Sequence, residues 1–148
     1  MKMVLQVVND ATLSVNDDII SSINKGLVVY FCVEKGDLDS DLDYFAKKIA
    51  SLRIFDDENG KTNLSVKDVE GEVLLVSQFT LAGDFHHGNR PSFINAEEQT
   101  RAKAMYEKLA DLVRNNYGIT VKMGVFGEEM IIKQTNAGPF TAFLEKKN

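Results

Sequence analysis

Val4-Leu5-Gln6-Val7-Val8 and Thr12-Leu13-Ser14-Val15 are two short stretches rich in β-formers, and Asn16-Asp17-Asp18 supplies turn chemistry before Ile19-Ile20. This pattern predicts an antiparallel start. Asn24-Lys25-Gly26 punctuates the chain again, and the unbroken apolar run from Leu27 to Val33 has the composition of a strand covered on both faces. Such a strand belongs at the centre of a sheet. Leu42, Phe45, Ala46, Ile49 and Leu52 then recur at helical spacing, behind Ser40 as N-cap and Asp43 in an acidic first turn. Asn59-Gly60 signals a turn before a second buried strand, Val73-Leu74-Leu75-Val76-Ser77-Gln78-Phe79, which becomes polar at its far end. Polarity at the end of a buried strand marks a candidate site.

Asn95 and Glu98 stand at capping-box spacing ahead of Ala102, Met105, Leu109, Leu112 and Val113, which predicts a longer helix ending before Gly118. Three closing strands are expected at residues 119–123, 130–132 and 140–144. The whole reads as an α+β single domain over residues 1–148, mostly antiparallel or mixed sheet, covered by two main helices.

Composition adds bounds. A chain of 148 residues with 44% hydrophobic and 26% charged residues matches an ordinary globular domain with its own core. No internal repeat or Pro/Gly/Ser-rich linker divides it. The single cysteine, Cys32, sits in the central apolar run and reads as a small buried residue. No stretch approaches the roughly 20 apolar residues of a membrane helix, and the first residues turn polar too soon for a secretory signal. No membrane partner is expected, and a reducing cytoplasm fits best. The net charge of -5 argues against a broad basic field for nucleic acid, so any RNA contact is expected to be local and DNA is not expected as a partner.

Standard catalytic signatures are missing: there is no Gly-rich phosphate loop, no Gly-x-Ser-x-Gly elbow and no histidine pair at helical spacing. His86-His87 are the only histidines, and neighbours on an extended chain point to opposite sides. A solvated loop is expected there, with no metal and no cofactor. Ser77-Gln78-Phe79-Thr80-Leu81 places two hydroxyls and an amide where a buried strand runs into a loop, a place where backbone amides can point outward. Hydrolysis of an activated ester needs such donors for the developing oxyanion more than it needs a strong base. In Asn136-Ala137-Gly138-Pro139-Phe140-Thr141, glycine before proline permits unusual backbone geometry and close approach by another group. A plain turn explains that segment equally well, and the sequence does not decide whether the Gly138-Pro139 bond is cis.

Taken in order, Gly36 within Val33-Glu34-Lys35-Gly36-Asp37, then Leu52-Arg53-Ile54-Phe55, Asn63-Leu64-Ser65, Ser77-Gln78-Phe79-Thr80-Leu81, Arg90-Pro91-Ser92-Phe93, Phe126-Gly127 with Met130, and residues 136–141 closely resemble the D-aminoacyl-tRNA deacylase family. The resemblance spans essentially the whole chain. It implies a barrel-like α+β homodimer acting on tRNA. In such a dimer Gly138-Pro139 would be cis and would reach into the partner subunit's pocket beside Ser77, Gln78, Phe79 and Thr80. The Gly-Pro carbonyls would hold the substrate's amino group and leave no room for an L side chain. A D side chain would project away, and glycyl-tRNA(Ala) would enter as a secondary substrate. Water would attack the ester, with amides near Phe79 and Thr80 stabilising the oxyanion and the ribose 2'-hydroxyl assisting. Thr80 is expected to position rather than attack, because no base is evident beside it. Gln78 would bind the terminal adenosine or hold the loop, and Asn136, Ala137, Phe140, Thr141 and Met130 would support the pocket. Phe79 and Met130 are expected to be partly core.

The chain departs from the family pattern in two places. Gln6-Val7-Val8 stands where members commonly have Gln-Arg-Val, and Ala137 and Phe140 replace a frequent aspartate and the usual valine. Those changes keep a second activity in view, removal of L-alanine from mischarged tRNA. Two further alternatives are a non-catalytic nucleic-acid-binding module, whose C-terminal extension this chain is expected to lack, and a small-molecule esterase using Thr80.

Overall fold

The computed structural model describes residues 1–147. Strand β1, Lys2–Val15, is one continuous strand where the sequence suggested two. The exposed pair Asn9-Asp10 interrupts the apolar pattern but not the ladder, because register shifts against the neighbouring last strand absorb the break. Val7 and Val8 face opposite sides of the sheet by ordinary alternation and both are buried, whereas Val8 and Ala11, on either side of the break, share one face. Asn16 and Asp17 turn the chain with positive φ of 49° and 66° into β2, Asp18–Ile23, as the turn signal predicted. Strand β3, Gly26–Cys32, lies between β1 and β6, Glu72–Ser77, and is the central strand expected from its unbroken apolar run. Between β3 and β6 come helix α1, Leu42–Ser51, and a small hairpin that periodicity missed, β4, Phe55–Asp56, with β5, Thr62–Leu64. Two- and three-residue strands are too short to show a period.

After β6 follow helix α2, Gln99–Tyr117, then β7, Val121–Met123, and β8, Ile131–Glu145. β8 merges the last two predicted strands, because Lys133, Gln134 and Thr135 still pair with β1 although they break the apolar pattern. The β3–β6 and β6–β7 pairs are parallel and the rest of the large sheet is antiparallel. Each parallel pair needs a crossover, and α1 and α2 lie in those two connections. The sheet curls until its edges β2 and β7 meet: Ser21 Oγ donates to the Met123 carbonyl at 2.5 Å and Lys122 Nζ to the Ser22 carbonyl at 2.6 Å. The single domain is thus a mixed sheet nearly closed into a barrel. Val8, Ala11, Leu13, Ile23, Val28, Leu74 and Val76 fill one face of the sheet. Leu5, Val29, Phe31 and Leu75 pack on its other face with Phe45 and Ile49 of α1 and Met105 and Leu109 of α2.

Both helix starts differ from the sequence reading. A 3-10 turn, Asp39–Asp41, precedes α1, so Asp41 takes the N-cap place and Ser40 does not; the cap has no side-chain hydrogen bond. Asp41 turns its carboxylate to Lys146 Nζ instead, at 2.6 Å. For α2 the N-cap is Glu98, whose carboxylate accepts from the amides of Thr100 at 2.9 Å and Arg101 at 3.2 Å, while the Asn95 carbonyl accepts from the Lys35 amide at 2.9 Å. Those amide bonds hold the Glu98 carboxyl below its usual range. A depressed folded-state value gives stability that is present above the unfolded carboxyl range and lost as pH falls through the folded one. Glu98→Ala is therefore expected to lower the melting temperature at neutral pH, with the gap from the wild type closing in acid. Thermal melts of both proteins across pH check it. Gly118, with φ of 65°, ends α2 in the left-handed conformation, as expected.

Candidate active site

Strand β6 stops at Ser77, two residues before the predicted end. The Gln78 amide adds one more bond, to the Phe31 carbonyl at 2.8 Å, and the chain then tightens into a 3-10 turn, Phe79–Ala82. The first hydrogen bond of that turn runs from the Leu81 amide to the Gln78 carbonyl at 3.3 Å, so the Phe79 and Thr80 amides have no partner within it. Beside the turn, where β3 and β6 end, lies a cavity of about 550 Å³. Its walls are Phe31, Cys32 and Val33 of β3 and its end, Val76 to Phe79, Phe93, the start of α2 with Gln99, Ala102 and Tyr106, and the β7–β8 connection with Phe126, Gly127, Glu128 and Met130.

The fold brings Ser77, Gln78, Phe79 and Met130 together in this wall. Thr80, the next residue of the turn, is not among the wall residues, and its hydroxyl accepts from Gln78 Nε2 at 2.6 Å. No base side chain is bonded to the Thr80 hydroxyl. Phe79 is not core: it is 56% exposed, and its ring meets Phe93 edge-on with centroids 5.1 Å apart. Met130 is half-buried over Gly124, where an added Cβ would sit 2.6 Å from its sulfur.

Residues 136–141 lie on β8 and none of them lines the cavity. Their geometry is unusual. Val8 pairs with Asn136 and Gln6 with Thr141, so Val7 alone stands opposite Ala137, Gly138, Pro139 and Phe140. The surplus residues form a bulge. Ala137 and Phe140 are half-buried against the helix-side core and anchor it, while Gly138 and Pro139 are exposed at its tip. The Gly138-Pro139 bond is cis, and Gly138 has φ of +112°.

The cavity wall carries two carboxylates, Glu97 and Glu128, and no lysine or arginine. Such a lining suits a neutral ring or an ammonium group and disfavours phosphate. Burial pushes the Cys32 thiol up to about 11, and its sulfur lies 3.6 Å from the Phe79 carbonyl; a neutral thiol there packs and does not attack. Tyr106 donates to the Leu75 carbonyl at 2.7 Å, and burial raises its hydroxyl far above the ordinary range. Among the described residues no three His, Cys, Asp or Glu side chains gather to hold a metal, and His86 and His87 are exposed. No helix of the described chain is long and apolar enough to cross a membrane.

Sequence reasoning missed what α2 contributes. Placing the cap at Asn95 hid the approach of Glu97 and Gln99 to the strand ends, and Tyr106 reads from periodicity as neither core nor site. Its neighbour Met105 carries the apolar stripe, and only the packing of α2 across β6 turns Tyr106 inward as well.

Fold and site together define a small α+β protein whose nearly closed sheet carries a substrate-sized cavity at the ends of its central strands. A sequence model of the D-Tyr-tRNA(Tyr) deacylase family matches residues 4–145, and the chain belongs to that family. It is 46% identical to a D-aminoacyl-tRNA deacylase of Thermosipho melanesiensis, covering 99% of this chain and 98% of that one. It is 47% identical to one of Persephonella marina, covering 99% of each. Among solved structures it is similar to a c-Myc DNA unwinding element binding protein, 36% identical with a TM-score of 0.94 over 100% of both chains. A probable eukaryotic D-amino acid tRNA deacylase, 20% identical with a TM-score of 0.84 over 97% of both, shares the fold.

Proposed function

We propose that this protein hydrolyses the ester of D-aminoacyl-tRNA, releasing the D-amino acid and free tRNA. The observation that carries the reading is the strand-end turn at Phe79 and Thr80, whose first two amides have no partner within the turn, beside a cavity walled by neutral and acidic side chains, in a chain that matches named deacylases over nearly its whole length. Water attacks the ester carbonyl carbon. The oxyanion forms at the Phe79 and Thr80 amides, and the terminal ribose oxygen leaves with a proton, assisted by the neighbouring 2'-hydroxyl. Side chains of this site position and exclude, and no covalent intermediate is needed. The absence of cations from the cavity wall favours the aminoacyl-adenosine end inside and the phosphates outside, and gives DNA no place in this reading.

The functional unit in this reading is a homodimer working in the cytoplasm. β8 pairs with β1 alone among the described strands, exposes Ile131 at 58% and Phe143 at 57%, and keeps Gly138 and Pro139 out of its own cavity wall. An open edge with apolar residues calls for a cover, and a second copy supplies one while placing the tip beside Ser77 to Thr80 of the partner. Ser77, Gln78, Phe79 and Thr80 line the reacting centre, Gly138 and Pro139 exclude L side chains, and Asn136, Ala137, Phe140, Thr141 and Met130 support them. Glycine has no side chain to exclude, so glycyl-tRNA(Ala) is a secondary substrate.

Matched D-tyrosyl- and L-tyrosyl-tRNA test the reading. Rapid release of the D ester alone is expected, and Thr80→Ala should retain the rate to within about tenfold, where loss of a true nucleophile would remove nearly all of it. Release of both enantiomers would move the protein toward L-alanyl-tRNA editing. Release of neither would overturn hydrolysis.

A further inference from the structure

The bulge that carries Gly138 and Pro139 is not positioned by the backbone ladder, because one residue of β1 stands opposite four of β8. Its shoulders are held by side chains. Gln134 Nε2 donates to Asn136 Oδ1 at 2.6 Å on one shoulder and to Gln6 Oε1 at 2.8 Å, and Gln6 Nε2 donates to Thr141 Oγ1 at 3.3 Å on the other. Tyr30, from the central strand, donates its hydroxyl to Gln134 Oε1 at 3.0 Å. We propose that the chain Tyr30–Gln134–Gln6 is a positioning device for chiral exclusion, clamping both ends of the bulge to two strands of the sheet and so aiming its tip.

Three features support this assignment, which rests on the deacylase reading. The Gln134 amide group is held from three sides, its nitrogen by Asn136 and Gln6 and its carbonyl by Tyr30, so the side chain that links the two shoulders is itself fixed. Tyr30 is half-buried, and burial raises its hydroxyl above the usual range, which keeps it a donor well into alkali. Tyr30 also packs on the same apolar cluster as Met130 and Ile132, two residues of the cavity wall. The device therefore ties the tip offered to one site to the wall of the other. Val7, the residue of β1 opposite the bulge, is buried at 7% exposure and offers the bulge no cation. Neutral hydrogen bonds hold the shoulders here.

The test compares wild type, Gln134→Leu, Tyr30→Phe and the double variant on matched D- and L-tyrosyl-tRNA, with melting temperature and oligomeric state measured alongside. Gln134→Leu is expected to lower the ratio of D to L rates by about tenfold through faster L release, with D release kept within about threefold. Tyr30→Phe, which removes one oxygen, should lower the ratio by less. The double variant should match Gln134→Leu alone, because both act through one chain of bonds. An unchanged ratio in folded variants, or D and L rates falling in parallel, would overturn the proposal beside an active wild type. Should Gln134→Leu fail to fold, Tyr30→Phe decides on the same criterion. A wild type inactive on both esters would overturn the deacylase reading and this device with it.

Discussion

Gly138→Ala is expected to reduce D-tyrosyl-tRNA hydrolysis by about 100-fold while leaving thermal stability nearly unchanged. Gly138 holds φ of +112°, a conformation that L residues with a side chain rarely adopt, and an added Cβ would stand 2.9 Å from the Phe140 amide nitrogen. The backbone must rotate to relieve that approach. Because the ladder is interrupted across residues 137–140, rotation re-aims the tip without breaking sheet hydrogen bonds. Exposure of the tip means that little core packing is lost. Steady-state deacylation beside a thermal melt separates the two effects, and a variant with wild-type activity would remove Gly138 from the site.

Gly26→Ala should act in the opposite sense, on the fold before the chemistry. Gly26 opens β3, and a Cβ built there would lie 1.8 Å from the Glu72 carbonyl oxygen of β6. That neighbour is backbone in the parallel pair Gly26–Glu72, so no rotamer change relieves the clash and the two strands must part. A loss of roughly 3 kcal/mol is expected, the upper part of the range for overpacking. For a domain of this size that corresponds to a fall of roughly 6–12 °C in melting temperature. Denaturant unfolding measures it. The same two strands end at the cavity, so activity should fall with stability at assay temperature. A variant as stable as wild type would show that the start of β3 yields more easily than a paired strand should.

The predictions differ in how far the amino-acid order anticipates them. The central strand and both helices were legible because Leu27 to Val33 and the stripes at Phe45, Ile49, Met105 and Leu109 are long enough to carry a period. The hairpin at 55–64 and the exact helix caps were not, since two-residue strands have no period and several acids compete for each cap. Ser77 to Phe79 was readable as a strand turning polar, yet Phe79 was expected to be partly core, and the 3-10 turn exposes it instead. Tyr106, Glu97 and Gln99 reach the cavity through the docking of α2, which no local pattern encodes.

Local order therefore determined which segments form strands and helices, that Cys32 is buried, and that residues 77–80 and 136–141 are the places where regular structure gives way. Periodicity, turn residues and apolar runs act between near neighbours, and they suffice for that much. Tertiary structure alone decided that β1 and β8 are single bulged strands, that one residue of β1 faces four of β8, and that Tyr30, Gln134 and Gln6 meet beneath the tip. Those features depend on register between segments more than a hundred residues apart, and register is set by how whole strands pack, not by the residues that end up paired.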